Sequence, residues 1–429
     1  MAWVILAVFI VCAALMFTRK LPALLALPLM AIVIALLPAY RAPLSAVALV
    51  FGTGPTRLAG AMSNAVFGAI LAHVVAQCGI AQSLVRRASE LAGDRPIFVA
   101  LLMMAATAFA FLAIGGLGAV IMVGTLVLPV MLGVGIRPLH AASIFLFGIS
   151  IGGIWNVAGW GFYQDVLKVP IATVASFSTL GGVTLSVAAI AYVLVYARSH
   201  RTTWSAQGPP ESGPASPPAL SLLTPVLPVL LILAFKSAGW LSGGKLAAQT
   251  LDINAALTVG SIYGIMTTRP RELLQLLTGA ITEGIRSVAP VLGLMIGVGM
   301  VITALMSEPV AIVMRPALQA MVPHSRWGYV LFFGLLSPLA LYRGPLNLYG
   351  LGAGIGAALT TIFAPHLVVG ALISTGMVQG VSDPTNTMNV WTGGFLKTDV
   401  NDILKATLPF VMAAAIVALT LIAVWRWAP

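Results

Sequence analysis

The chain has 429 residues, of which 60% are hydrophobic and only 8% charged, and its mean hydropathy is +1.04. Soluble domains carry roughly 25% charged residues, so this composition excludes an ordinary soluble protein and predicts one embedded in a lipid bilayer. The net charge of +11 does not indicate a nucleic-acid partner, because the Lys and Arg residues lie in short connections between apolar segments. We therefore expect a multi-pass protein of the bacterial cytoplasmic (inner) membrane.

The apolar segments are close to the length of about 20 residues that a spanning helix needs. The first is interpreted as a spanning helix, since no positive region precedes it and no small-residue cleavage site is evident. In chain order, the segments of the first half are 2–18, 20–39, 60–80, 97–113, 139–162 and 171–197. Those of the second half are 221–238, 247–266, 285–306, 327–342, 366–390 and 402–426.

A polar stretch divides the chain near its midpoint. Residues 198–220 are rich in Pro, Ser and Gly, which predicts a linker. The expected domains are therefore an N-terminal repeat over 1–197 and a C-terminal repeat over 221–429. A further stretch, 308–322, carries charge and two prolines, and it is a candidate for a segment lying in the membrane interface.

Each half also carries a glycine-rich break between its fourth and fifth apolar segments. The two breaks align at an offset of 228, which pairs Gly116 with Gly344 and Gly124 with Gly352. Paired interruptions at corresponding points of two halves are a good sequence indication of a transporter's binding site. With their apolar flanks, each break is long enough for two half-helices that enter and leave on the same side. We therefore predict re-entrant hairpins at about 114–134 and 342–363.

The fifth segment of each half is predicted to be an interrupted helix. In the second half, residues 379–391 contain Gly, Pro and several polar side chains, and Pro384 removes a backbone donor. An extramembrane loop is the alternative, but the preceding apolar run, Leu367–Met377, is too short to span a bilayer. The equivalent stretch of the first half, 150–160, is also broken by glycines and has Asn156 as its polar group.

The shared order of elements predicts an internal duplication. Leu167-Lys168 also matches Leu396-Lys397, at an offset of 229. The fold class is therefore an all-α polytopic membrane protein with two structural repeats and about 10–12 transmembrane helices. The relative orientation of the repeats stays open. Six crossings per half would make the repeats parallel, whereas inverted repeats need an odd number of crossings between equivalent helices. The distribution of positive charges does not decide it.

The hairpin tips are the predicted binding site for an anion. A half-helix that begins at a tip points free backbone N–H groups at whatever lies there. Arg343 would add a planar, permanently charged fork that fits a carboxylate, although it could instead be a boundary residue that reaches to the interface. Glycines let the backbone approach a ligand closely. The candidate substrate-binding residues are Arg343, Gly344, Asn347, Gly116, Gly118, Ala119 and Asn156.

The second interrupted helix is the predicted coupling site. Asp383 is the candidate proton acceptor or sodium ligand, and Thr385 and Asn386 would complete a sodium site; a structural N-cap role for Asp383 is the alternative. The candidate coupling residues are Ser382, Asp383, Thr385, Asn386 and Asn389. No other metal, no cofactor and no enzymatic activity is expected, because no metal-ligand spacing, complete P-loop or catalytic triad is evident.

The motif Ser382-Asp383-Pro384-Thr385-Asn386, followed by Asn389-Val390-Trp391 and by 400–405, resembles the ion transporter superfamily. The likeness is strongest to its gluconate-permease and citrate-transporter-like branches. The resemblance implies two inverted repeats, separate scaffold and transport domains, a homodimer and elevator-type transport of an organic anion with protons or sodium. Related dicarboxylate carriers place Ser-Asn-Thr at the hairpin tips, whereas this chain has Gly-Leu-Gly at one and Arg-Gly-Pro-Leu-Asn at the other.

The expected function is therefore a secondary active symporter of a small carboxylate such as gluconate, citrate or a C4-dicarboxylate. Two alternatives stay open at this point. One is a membrane subunit of a transport complex that uses a separate binding protein. The other is an anion channel.

Overall fold

The computed structural model describes residues 2–17, 20–37, 43–92, 95–196, 217–241, 251–307, 325–349 and 352–426, with a few positions between 309 and 323. These residues are helical, and no strand occurs among them. The α-helices are α1 (Ala2–Phe17), α2 (Ala23–Ala35), α3 (Pro43–Thr53), α4 (Ala59–Gln77), α5 (Ile80–Ala92), α6 (Pro96–Phe111), α7 (Gly116–Gly133), α8 (Pro138–Ile154), α9 (Val157–Leu167), α10 (Ile171–Tyr196), α11 (Leu227–Leu241), α12 (Ile253–Thr268), α13 (Leu273–Leu305), α14 (Arg326–Leu335), α15 (Gly352–Leu359), α16 (Pro365–Ser382), α17 (Thr387–Phe395) and α18 (Val400–Trp425). Short 3-10 helices cover Ala219–Leu223, Pro270–Glu272 and Ser337–Arg343.

Four of the described helices are long and apolar enough to cross a membrane: α4, α10, α13 with the 3-10 turn before it, and α18. The pair α8 and α9 makes a fifth span if it is counted as one helix bent by 59°. Several further helices are apolar but shorter. The chain is thus built as an integral membrane protein, and the count of about 10–12 spans stays a prediction.

The two halves repeat the same order of elements. Helices α6 to α10 correspond to α14 to α18, and the last member of each set, α10 and α18, is 26 residues long. These two helices begin at Ile171 and Val400, with the same 229-residue spacing that the sequence match at Lys168 and Lys397 predicted. The predicted linker lies outside the described residues as far as residue 216, and so does most of 308–322.

The arms of the hairpins differ from the prediction. Residues 114–134 do not form two half-helices, because Gly116–Gly133 is one continuous helix, α7. Its partner arm is α6, which the sequence had suggested as a separate span, and the tip is Leu112–Gly115. The glycine-rich stretch stays helical because an apolar surrounding requires backbone groups to be satisfied within the segment.

The second hairpin differs in the same way. Its first arm is α14 continued by the 3-10 turn Ser337–Arg343, its tip follows at Gly344–Tyr349, and its second arm is α15. The predicted range 342–363 therefore covers the tip and one arm only.

Two other predictions needed correction. Helix α13 begins at Leu273, well before the expected 285; its first turns carry the charged residues Glu283 and Arg286, which a search for apolar runs leaves out and which pair with each other at 2.6 Å. Helices α3 and α5 were not predicted. The first has only 11 residues, and the second has a polar face that hid it from a search for apolar runs.

Two groups of helices position the site. Helix α13 packs along α2 and α4, and α12 also packs on α4. Small residues allow close contact here: a Cβ at Gly284 would lie 3.0 Å from the backbone nitrogen of Ile70. In the other group, α8, α10, α16 and α18 pack against one another, so both interrupted helices belong to it. Helix α9 connects the groups through its contact with α4.

Candidate functional site

Each hairpin contacts the interrupted helix of the other half. Helix α7 of the first hairpin packs on α17, where a Cβ at Gly124 would lie 2.6 Å from Cζ3 of Trp391. The second tip packs on α9, where the ring of Tyr349 stacks on that of Phe162 at 5.0 Å between centroids. The two hairpins and the two interrupted helices therefore pack together where the repeats meet.

The first break is held to the first tip by Asn156. Its side-chain oxygen accepts a hydrogen bond from the backbone N–H of Ala158 and caps α9. Its Nδ2 group donates to the carbonyls of Phe111, at 3.3 Å, and Ile114, at 3.4 Å. Phe111 is the last residue of α6 and Ile114 lies in the tip, so Asn156 ties the tip to the break. This geometry gives Asn156 a positioning contact in addition to its predicted role in substrate binding.

The second break is organised by Asp383, which is 1% exposed. One carboxylate oxygen, Oδ1, accepts hydrogen bonds from the backbone N–H of Thr385 at 2.8 Å and from its hydroxyl at 2.7 Å. The other oxygen, Oδ2, is buried and has no hydrogen-bond partner among the described residues. A buried oxygen of this kind is costly unless a proton or a cation satisfies it.

Asn389 lies across the same break and is also 1% exposed. Its Nδ2 group donates to the carbonyl of Val381 at 2.9 Å, which orients the amide. Its oxygen, Oδ1, is the second buried atom at the break without a described partner. A carboxylate oxygen and an amide oxygen are ligands that hard cations prefer. The coupling ion, a proton or sodium, therefore stays a prediction.

The remaining predicted coupling residues have structural contacts. The hydroxyl of Ser382 lies 2.7 Å from that of Thr407 on α18, which itself donates to the carbonyl of Ile403. Ser382 is therefore the donor of this pair. Asn386 caps α17 by accepting from the N–H of Met388, as Asn156 caps α9. The predicted break is confirmed, since α16 ends at Ser382 and α17 begins at Thr387; the alternative of a long loop over 379–391 is wrong.

The second tip is a tight backbone turn. A Cβ at Gly344 would collide with the carbonyl of Leu339, so only glycine fits. Asn347 is 2% exposed, and its side-chain oxygen accepts from the N–H of Tyr349 at 2.9 Å. This contact shapes the tip and points Tyr349 toward α9. The side chain of Arg343, the predicted anion ligand, lies outside the described residues.

The first tip exposes backbone. Gly116 begins α7 with a φ of +81°, a left-handed conformation that favours glycine. A Cβ at Gly115 or Gly116 would meet nothing within 4 Å, so the space beside both residues is open. Ala119 is half-buried in the same helix, and the surroundings of Gly118 lie outside the described residues.

Sequence reasoning missed three residues near the site. Tyr163 and Tyr349 carry hydroxyls into it, and Asp165, also on α9, accepts a hydrogen bond from the backbone N–H of Ala61 on α4. An ionisable residue inside an apolar segment is a usable signal, and Asp165 could have been found by it. The tyrosines could not, because aromatic residues are common in such segments.

Other charged groups contribute little to this region. The three ion pairs of the described residues are surface pairs within one helix or turn. No group of three or more His, Cys, Asp or Glu residues that could hold a metal ion occurs in the described part of the chain.

No protein-family model matches the chain, and no curated protein sequence does. Solved structures do share its fold, and two of them are transporters. The first is the YdaH transporter of Alcanivorax borkumensis, described as having an unusual topology, with a TM-score of 0.58 and 14% identity over 88% of this chain and 86% of that one. The second is MtrF of Neisseria gonorrhoeae, described among antimetabolite efflux pumps, with a TM-score of 0.55 and 12% identity over 89% and 85%.

The chain therefore has the fold of known transporters across nearly its whole length. Identities of 12% and 14% establish the fold and not the substrate. The narrower resemblance to gluconate and citrate carriers stays a prediction.

Proposed function

We propose that the chain is a secondary active transporter that moves a small carboxylate, such as gluconate, citrate or a C4-dicarboxylate, together with protons or sodium ions. The observation that carries this proposal is the buried Oδ2 of Asp383, which faces the break between α16 and α17 with no described partner. A buried carboxylate without a protein partner needs a proton or a cation to compensate its charge. Cation coupling depends on groups of this kind.

The mechanism follows from the arrangement of the breaks. A proton on Oδ2, or a sodium ion held by Oδ2 of Asp383 and Oδ1 of Asn389, neutralises the carboxylate. Thr385 and Asn386 keep the break in shape through the turn and the cap. The anion then binds beside it, between the open first tip and the second tip, with Arg343 as the predicted counter-charge. When the cation and the anion are both bound, little net charge has to cross the bilayer, where charge is costly.

We also propose an elevator movement in which α9, with α8, α16 and α17, shifts along α4. Part of the α4–α9 contact is made by small side chains, as at Gly68, where a Cβ would lie 2.6 Å from that of Ala158. The hydrogen bond from the backbone N–H of Ala61 to Asp165 also joins the two helices, and it would have to break as α9 moves. The protein would act as a homodimer in the bacterial inner membrane. Export is as compatible with this chemistry as import, and MtrF is described among efflux pumps.

The test uses purified protein in proteoliposomes and radiolabelled citrate, gluconate and succinate. Uptake is driven in turn by an inward sodium gradient and by an inward proton gradient. We expect Asp383→Asn to abolish gradient-driven uptake, since the amide can neither take up a proton nor supply a charge. Asp399→Asn is the matched control, because Asp399 makes the same turn with the N–H of Asn401 but is exposed at the start of α18.

Gradient-driven uptake that persists in Asp383→Asn would overturn the coupling role. Passive, non-saturating flux in the wild type would indicate a channel instead.

A further inference from the structure

Two tyrosine hydroxyls reach the site without a described protein partner. Tyr349 lies on the second tip and is 36% exposed, and Tyr163 lies on α9 and is half-buried. Neither hydroxyl makes a hydrogen bond within the described part of the chain. Both side chains are only partly buried, so their hydroxyls are free to donate to a bound molecule.

The geometry brings the two hydroxyls onto one face. The hydroxyl of Tyr349 lies 3.3 Å from the position of a Cβ at Gly159. Gly159 and Tyr163 are four residues apart on α9, and such pairs share a helix face.

The second broken helix closes the far side. The hydroxyl of Tyr163 lies 3.5 Å from the position of a Cβ at Gly376 on α16. Gly376 precedes Asp383 by seven residues, about 10 Å along a helix. The hydroxyl of Tyr163 therefore lies between the two interrupted helices, that of Tyr349 lies on the α9 side, and the position of the coupling carboxylate is separate from both.

We propose that Tyr163 and Tyr349 are substrate-binding residues that donate hydrogen bonds to one carboxylate group of the transported anion. This inference rests on the proposed function and deepens it. Phenols are neutral donors, so they can bind and orient the carboxylate while its charge is compensated by the predicted counter-charge, Arg343. Glycines at 159 and 376 leave room for the carboxylate oxygens beside the hydroxyls.

The position of Tyr349 adds a second consequence. Its ring stacks on Phe162 with an interplanar angle of 13°, so the hydroxyl is presented by the second tip to the helix of the first repeat. A carboxylate bound by both phenols would join tip and helix. Substrate binding would thereby favour closure of the second hairpin.

The experiment measures equilibrium binding of citrate, gluconate and succinate to purified protein, with initial rates of uptake in proteoliposomes. Tyr163→Phe and Tyr349→Phe remove the hydroxyls and keep the rings. We expect each to weaken binding of the accepted carboxylate roughly 10- to 100-fold, the effect of a lost hydrogen bond to a charged group. KM should rise while the maximal rate changes little, and stabilisation by sodium alone should be unchanged. Tyr263→Phe is the control, because its hydroxyl donates to the carbonyl of Leu220 away from the site.

Gly376→Ala provides a second variant that keeps both tyrosines. Its Cβ makes only an ordinary contact with the Tyr163 hydroxyl and should be tolerated by the fold, but it occupies space beside the bound carboxylate. We expect weaker binding here too. If the wild type binds a carboxylate and all three variants bind it within about twofold of wild type, the inference is overturned while the proposed function stands. If the wild type binds none of the three anions, the proposed carboxylate specificity fails, and the inference fails with it.

Discussion

Lys168 and Lys397 adopt the same left-handed backbone conformation, with φ values of 55° and 53°. Each follows the short second part of an interrupted helix, and each precedes a 26-residue helix that begins three residues later. A left-handed conformation costs a non-glycine residue roughly 1–2 kcal/mol. The same unfavourable conformation occurs at the same point of both repeats, so the turn is a shared feature of the two repeats.

Glycine at either position should relieve this cost. We expect Lys168→Gly and Lys397→Gly each to stabilise the protein by about 0.5–1 kcal/mol, the relief of strain less the extra freedom of glycine in the unfolded chain. The measurement is the midpoint of thermal unfolding in detergent. Lys405→Gly is the control, since Lys405 lies inside α18, where glycine costs about 1 kcal/mol. A loss of stability in all three variants would contradict the prediction.

The crossing of the two interrupted helices predicts a rescue. A Cβ at Gly380 on α16 would lie 2.5 Å from Oγ of Ser150 on α8. Gly380→Ala should therefore destabilise the protein by about 1–3 kcal/mol through overpacking. Ser150→Ala removes the clashing atom, and its Cβ lies farther away, at 3.4 Å.

The double variant Gly380→Ala, Ser150→Ala should recover most of the stability that Gly380→Ala loses. A double-mutant cycle measured by thermal unfolding gives the coupling directly. Additive effects of the two substitutions would show that the helices do not cross at these residues.

The two helix-capping asparagines should respond differently to the same substitution. Asp can replace Asn as a cap, and the Nδ2 group of Asn386 has no partner among the described residues, so Asn386→Asp should be nearly neutral. Asn156→Asp should cost about 2–3 kcal/mol. It loses two hydrogen bonds to the first tip and places a carboxylate against the carbonyls of Phe111 and Ile114.

Unfolding midpoints of the two Asp variants test this contrast, with both Asn→Ala variants as controls for the cap alone. Equal effects of Asn156→Asp and Asn386→Asp would contradict the connection between the first break and the first tip.

Much of this architecture could be predicted from local chemistry. Pro384 and the polar residues around it indicated a break, and the break lies there because proline cannot continue the hydrogen bonding of α16. The match of Leu167-Lys168 with Leu396-Lys397 indicated the repeat, and the shared left-handed turn explains why those positions correspond.

The hairpins could not be placed as well, for a physical reason. Glycine weakens a helix in water but is tolerated in apolar surroundings, where no other partner for the backbone exists. The run after Gly116 therefore looked like a tip and is a helix. Tyr163 was missed because its importance depends on Gly376, more than 200 residues away in the sequence, and no local pattern carries that information.

The contact between α4 and α9 allows a direct test of the elevator movement. A Cβ at Gly68 would lie 2.6 Å from that of Ala158, somewhat closer than the roughly 3.5–4.5 Å of a disulfide. We expect Gly68→Cys and Ala158→Cys, in a background without the free cysteines Cys12 and Cys78, to crosslink on oxidation after a small separation of the helices.

Because the crosslink fixes α9 to α4, it should stop transport in proteoliposomes, and reduction should restore it. Each single Cys variant is the control, and its transport rate should be the same before and after the oxidant is added. Full transport by protein that is crosslinked to completion would show that α9 does not move along α4 and would rule out an elevator movement at this contact.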